Sequence, residues 1–204
     1  MIQIYHGDGK GKTTAAIGLA IRAAGHGIPV VFAQFLKDES SGEISVLKQI
    51  PGIEVLHSEC FHGFIRNMTN EQKQETREAY AGLLETCGEI IASIGNTAEQ
   101  NMNSIVGNSQ ENTSANSSLI RGVIILDEVL HACNYDLLDE AVLIDKLEKW
   151  KKVGDNCENC EYEVILTGRN PSQPLLRLAD YVTEMKKEKH PFDRGIYARE
   201  GIEL

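Results

Sequence analysis

The sequence predicts a three-layer α/β domain with a mostly parallel central sheet, and three observations carry that prediction. Short apolar runs alternate with helical stretches along nearly the whole chain. Some of those runs are continuous, as in Val30-Val31-Phe32-Ala33-Gln34-Phe35-Leu36 and Gly122-Val123-Ile124-Ile125-Leu126. Continuous apolar runs belong to strands buried on both faces rather than one. The first run, Ile2 to Tyr5, passes straight into a glycine-rich loop and then an alanine-rich helix.

That loop, Gly7-Asp8-Gly9-Lys10-Gly11-Lys12-Thr13-Thr14, places three glycines at alternate positions. Glycine weakens both strand and helix interiors, so the spacing indicates a tight bend that turns backbone N–H groups towards an anion. Lys12 and Thr13 then open the helix, whose N-terminus adds partial positive charge. The expected chemistry is a phosphate-binding loop, with the Lys12 ammonium on phosphate oxygens and the Thr13 hydroxyl on Mg²⁺. This points to a P-loop NTPase domain, although His6 stands where the usual pattern has its first glycine. A dinucleotide fingerprint fails, because its third glycine falls on Lys12 and the second strand ends at Leu36-Lys37 without an acid.

The remaining elements follow in order. Helix one is expected from Lys12 to about Gly25, stopped by Gly25-His26-Gly27, with Pro29 opening the next strand. A polar loop from Lys37 to Gly42, a short helix through Leu47, a Pro51-Gly52 turn and a strand from Ile53 to His57 come next. Cys60-Phe61-His62-Gly63-Phe64 reads as a loop carrying two aromatics, and Thr69-Asn70-Glu71-Gln72 as a capping box opening a helix to about Ile94. The stretch at about 96–118 is rich in Asn, Ser, Gln, Thr and Glu, and reads as a disordered surface insertion within one 1–204 domain. Gly122 to Leu126 is a strand ending in Asp127-Glu128, and Leu137 to Lys151 a helix. Tyr162 to Thr167 is a strand ending in Gly168-Arg169; Ser172 to Leu178 is a brief helix and Tyr181 to Met185 a strand.

In parallel sheets of this kind ligands bind at the carboxyl ends of the strands. The glycine loop, Asp127-Glu128 and Gly168-Arg169 all fall at such ends. Asp127-Glu128 has the form of an acidic strand end that holds Mg²⁺ directly or through water, or alternatively of an acid pair capping a helix. Arg169 is a candidate for neutralising phosphate charge, or a surface arginine at a turn.

Bulk properties narrow the classes. A length of 204 residues suits one domain with a sizeable core. The net charge of −10 argues against a nucleic-acid or membrane-surface binder. No apolar run is long enough to span a bilayer, and a strand beginning at Ile2 leaves no room for a signal peptide, so a cytoplasmic protein is expected. Five scattered cysteines do not form a disulfide framework. Cys157 and Cys160 lack a second pair of zinc ligands nearby. The residues alone therefore support a nucleoside-triphosphate binder with Mg²⁺, and leave open an ATPase, a small-molecule kinase or another transfer.

The chain resembles the P-loop-type ATP:corrinoid adenosyltransferases. The resemblance rests on Gly7 through Ala16, Arg22-Ala23-Ala24-Gly25-His26-Gly27 and Gln34-Phe35-Leu36-Lys37. It continues in Leu126-Asp127-Glu128, Leu166-Thr167-Gly168-Arg169, Leu178-Ala179-Asp180 and Lys189-His190-Pro191-Phe192-Asp193. The family also lacks the usual first glycine, which accounts for His6. The resemblance implies a RecA-like fold and transfer of the 5′-deoxyadenosyl group of ATP to the cobalt(I) of a reduced corrinoid, with triphosphate released. The corrinoid would be cobalamin, cobinamide or cobyrinic acid a,c-diamide. It further implies catalytic roles for Lys12, Glu128 and Arg169, ATP phosphates on Gly7 through Thr14, and Mg²⁺ on Thr13 and Glu128. Phe61 matches a phenylalanine that relatives place beneath the corrin; their tryptophan falls on Gly63, and Phe64 is expected to share the task. A homodimer and an electron-donating flavoprotein are implied as partners.

Overall fold

The computed structural model describes residues 1–37, 41–58, 60, 62–63, 65–106, 119–152 and 160–202. Six strands form one sheet in the order β3-β2-β4-β5-β1-β6. They are β1 (Ile2–His6), β2 (Val30–Gln34), β3 (Ile53–His57), β4 (Leu119–Asp127), β5 (Cys160–Thr167) and β6 (Tyr181–Glu184). Every pairing is parallel. The register sets Gln34 beside Asp127 and Leu126 beside Leu166, so the carboxyl ends of β2, β4 and β5 lie together.

The helices are α1 (Lys12–Gly25), α2 (Gly42–Leu47), α3 (Asn70–Val106), α4 (Val129–Asn134), α5 (Glu140–Lys152) and α6 (Gln173–Leu178). Strand residues alternate between two cores. Val30, Phe32, Val123, Ile125 and Ile165 meet Ala16, Ala20 and Ala23 of α1 and Ile44 and Leu47 of α2. Val31, Ala33, Phe35, Ile124, Leu126 and Leu166 face α3, α4 and α5. Small residues on α1 let it lie close on the sheet, while the other face takes larger side chains. From α3 these are Tyr80, Leu83, Leu84, Cys87 and Ile91, at helical spacing. Burying each large apolar side chain of this kind contributes about 1.5–3 kcal/mol, which is why β2 is apolar from Val30 to Ala33.

The expected capping box forms: Gln72 N–H donates to Thr69 Oγ1 at 3.2 Å and Thr69 N–H to Gln72 Oε1 at 2.9 Å. Helix α3 does not stop near Ile94 but continues to Val106. Ala98, Glu99, Gln100 and Met102 all favour helix, and extending an existing helix costs far less than starting one. The first part of the 96–118 stretch is therefore helical, and 107–118 lie outside the described residues. Two further boundaries differ from expectation. β4 starts at Leu119, earlier than Gly122, and the stretch after Glu128 holds a separate short helix, α4, before α5. Cys160 opens β5, whereas Cys157 lies outside the described residues. No helix among the described residues is long and apolar enough to cross a membrane.

Candidate active site

The site grows from the carboxyl end of β1. Gly7 and Gly11 both take φ 115°, in the left-handed region that favours glycine, and Gly11 caps α1. A second constraint on the loop is steric. A Cβ on Gly7 or Gly9 would stand 2.4 or 2.6 Å from the carbonyl oxygen of Met185, just beyond β6. Gly9 N–H donates to that same oxygen at 2.7 Å. Two of the three glycines thus serve close passage of another strand, and one N–H group expected to face phosphate is already bonded within the protein.

Lys12 is buried, and its Nζ donates to the carbonyls of Gly7 at 2.9 Å and Gly9 at 2.8 Å. Burial lowers its pKa from the ordinary lysine value, opposed by the charges of Glu128, Asp8 and Asp127. Next along α1, the Thr13 hydroxyl donates to Asp127 Oδ1 at 2.9 Å. Asp127 is fully buried at the end of β4. It also accepts from Thr167 Oγ1 at 2.7 Å and from Lys37 Nζ at 3.2 Å. Burial acts to lower the Lys37 pKa, but the Asp127 carboxylate, with Glu43 and Glu128, carries it above its usual value.

Glu128 takes φ 62°, an uncommon conformation for a side-chain-bearing residue, and its N–H donates to Thr167 Oγ1 at 2.9 Å. That turn directs its carboxylate to His131 Nδ1 rather than to Thr13. Burial opposes its charge, yet the hydrogen bond and charge of His131, with Lys37 and Lys12, hold the carboxyl below the ordinary glutamate range. The acid touching Thr13 is therefore Asp127, while Glu128, expected beside Thr13 on Mg²⁺, is bonded to His131. The donor set fits a hard divalent cation: a buried carboxyl group, a hydroxyl on it, and the Gln34 amide beside it in the register. Gln34 is buried, and neither of its amide atoms has a partner among the described residues.

Arg169 is exposed on the loop after β5, where its carbonyl accepts from Asn134 Nδ2 at 2.8 Å. Together with the glycine loop, Lys37 and Glu128 it lines a cleft of about 740 Å³. The chain's last segment completes that lining with His190, Phe192, Tyr197 and Ile202. Lys10 Nζ donates to the Ile202 carbonyl at 2.7 Å, and Lys187 N–H to Asp8 Oδ1 at 2.9 Å. Asp8 and Lys10 are therefore bonded to this segment, and Thr14 lines the cleft on α1. Sequence reading left the basic tail unassigned; its contact with the loop depends on β6 pairing beside β1, which no local pattern announces.

A second cleft, about 600 Å³, is predominantly apolar. Its lining includes Leu36, Cys60, Ile65, Met68, Tyr80 and Tyr135, with Arg66 and Lys73. Leu36 and Lys37 are chain neighbours, one in each cleft. Leu36 holds φ 60°, and its N–H donates to the Tyr80 hydroxyl at 2.9 Å. Phe61 and Phe64 lie outside the described residues, on the loop that supplies Cys60 and Gly63 to this cleft.

Comparison with known proteins gives a consistent result over the full length. Residues 1–204 match the family described as ATP:corrinoid adenosyltransferase BtuR/CobO/CobP. A corrinoid adenosyltransferase of Escherichia coli (strain K12) is 30% identical over 204 residues, covering 100% of this chain and 85% of that protein. Corrinoid adenosyltransferase CobA of Salmonella typhimurium is 30% identical at the same coverage. One from Sinorhizobium sp. is 29% identical, covering 100% of this chain and 80% of the relative.

Proposed function

The chain belongs to the ATP:corrinoid adenosyltransferase family and is a corrinoid adenosyltransferase of cobalamin biosynthesis, and from that premise we propose how its two clefts divide the reaction. ATP places its phosphates on the glycine loop, and the reduced corrinoid occupies the apolar cleft. The observation that carries this reading is at Leu36-Lys37, two consecutive residues of which one lines an apolar cleft and the other an ionic one. Cleavage of a terminal phosphate by water calls for no large apolar pocket beside the phosphates. Delivery of a macrocycle to the ribose end of ATP does.

Cobalt(I) of the corrinoid attacks the 5′-carbon of the ribose. The Co–C bond forms as the C5′–O bond breaks, and triphosphate carries away the electron pair. The nucleophile comes from the substrate, so the protein's task is to orient both partners and stabilise charge on the leaving group. Lys12 turns from the Gly7 and Gly9 carbonyls to the phosphates, and Arg169 approaches from the β5 loop. Mg²⁺ would be held by Thr13 with Asp127 and Glu128 around it, and supplies charge neutralisation on the triphosphate. His131 keeps Glu128 ionised and in place. Phe192 and Tyr197, exposed and edge-to-face at 6.5 Å, offer aromatic surface to adenine. Phe61 and Phe64 lie against the corrin. The reading includes a homodimer, and an electron-donating flavoprotein to generate cobalt(I).

One anaerobic incubation with ATP, Mg²⁺ and chemically reduced cob(I)alamin tests it. The expected product is a photolabile alkylated cobalamin, formed in step with triphosphate. Formation of ADP and phosphate without change in the corrinoid spectrum would overturn the assignment.

A further inference from the structure

A group of side chains outside the nucleotide cleft has the composition of a metal site. Cys60 and His62, on the loop after β3, meet Glu75 in the second turn of α3. Cys60 Sγ lies 3.2 Å from His62 Nε2, and that same nitrogen lies 3.1 Å from Glu75 Oε2. All three ligand atoms fall within 4.8 Å of one another.

Cys60 Sγ also lies 3.8 Å from Thr76 Oγ1, and a thiol proton directed there with the imidazole proton on Glu75 leaves sulfur 3.2 Å from Nε2 with no proton between them. The ring nitrogen Nε2 makes both contacts, yet it carries at most one hydrogen. If it is protonated, the hydrogen serves one of the two contacts and not both. If it is not, its lone pair faces a carboxylate oxygen. A cation among the three atoms satisfies all of them at once. The spacing agrees with that: tetrahedral bonds to zinc of ordinary length put sulfur and nitrogen about 3.5 Å apart, and nitrogen and oxygen about 3.3 Å apart. The observed contacts are within a few tenths of an ångström of those values.

We propose that Cys60, His62 and Glu75 bind a borderline-soft divalent cation of the zinc type, with one further coordination position left to solvent. The donor set excludes Mg²⁺ and Ca²⁺, which take oxygen ligands. Two of the three ligands come from the loop and one from the helix, so the metal ties the loop to α3. Cys60 also lines the apolar cleft, and the tie fixes that wall of it. The site shares no residue with the Mg²⁺ position at Thr13, and metal binding to it is read without turnover.

The test uses the full chain, stripped of metal by a chelator and kept in excess Mg²⁺ without corrinoid or ATP. Zn²⁺ affinity is read by competition with a chromophoric chelator, and Co²⁺ serves as a spectroscopic probe. One equivalent should bind, with a thiolate-to-cobalt charge-transfer band and a rise in Tm. Cys60→Ser should abolish the band, and His62→Ala should weaken binding about 100-fold or more, at least the upper end of what losing a mere supporting partner costs. Glu75→Gln, at an exposed helix position that does not endanger folding, should weaken binding and shift the band. Cys157 and Cys160 are close in sequence and are removed as a control: the double variant Cys157→Ser/Cys160→Ser should bind as the parent does. Absence of stoichiometric binding, a band that survives Cys60→Ser, or loss of binding in the Cys157/Cys160 variant would each overturn the proposal.

Discussion

Tyr80→Phe removes one oxygen atom from the lining of the apolar cleft and should uncouple the two clefts. The ring contact with Phe35, 5.1 Å between centroids and edge-to-face, survives the change. What is lost is the acceptor for Leu36 N–H. A partly buried donor without a partner costs about 1–3 kcal/mol. Leu36 also sits at φ 60°, a conformation roughly 1–2 kcal/mol unfavourable for an L-residue. With the hydrogen bond gone, the backbone relaxes to negative φ and recovers that strain. The two effects nearly offset, leaving a net stability loss of about 1 kcal/mol by urea unfolding. The relaxation moves Lys37 away from Asp127, however, and turnover should fall on the order of 100-fold even with both substrates saturating. Combining Tyr80→Phe with Leu36→Gly, which adopts φ 60° without strain, should restore part of that rate. Turnover of Tyr80→Phe within about twofold of the parent would refute this account, since misplacement of a site residue should cost far more.

Four further outcomes follow from the same geometry. Lys12→Ala should weaken ATP binding and lower turnover by about 10²–10³, the usual cost of removing one charge-stabilising donor; near-normal turnover would show that the loop is wrongly assigned. Asp127→Asn sets an amide against the Thr13, Thr167 and Lys37 donors and should raise the Mg²⁺ concentration needed for half-maximal rate by about 10-fold or more, with an unchanged Mg²⁺ titration counting against it. Glu128 has a lowered folded-state pKa, so its stabilising contribution is present above the ordinary glutamate value of 4.5 and is lost as pH falls through the lowered one. Urea midpoints measured across that acid range should decline less steeply in Glu128→Gln, and parallel curves would dismiss the His131 pairing as a stabilising contact. Phe61→Ala should slow adenosylation of cob(II)alamin far more than that of pre-reduced cob(I)alamin, and equal losses would remove Phe61 from the reduction step.

The parts of the fold governed by local chemistry were legible in the residues. β1, α1 and β3 match expectation because each has a run of one periodicity closed by glycine, proline or a polar turn. The α4 helix was not legible: Val129–Asn134 is too short to show an amphipathic period, and it follows an acid in a left-handed turn. At the site, Lys12, Thr13 and Arg169 gather around one cleft as their strand-end positions foretold. The partner of Thr13 was not foretold, because Asp127 and Glu128 are adjacent in sequence and only the turn at Glu128 decides which carboxylate reaches it. Likewise Thr167 and Tyr80 act on Asp127 and Leu36, residues far from them in the chain. Lys37 gives one signal, a cation directly after the largely apolar run from Val30 to Leu36.

The strand order has a consequence for synthesis of the protein in the cell. β1 is made first, yet its partners in the sheet are β5 and β6, with Ile2 beside Val164 and His6 beside Glu184. While the ribosome is producing β2, β3 and β4, those strands assemble with one another and β1 has no neighbour. The glycine loop hangs from β1 and is braced by Met185, so a nascent chain cannot build its nucleotide grip until β6 has left the exit tunnel. Until then β1, with Ile2 and Ile4 uncovered, is a strand without a neighbour, open to chaperones and to mispairing. Affinity for ATP should accordingly be among the last properties a growing chain acquires.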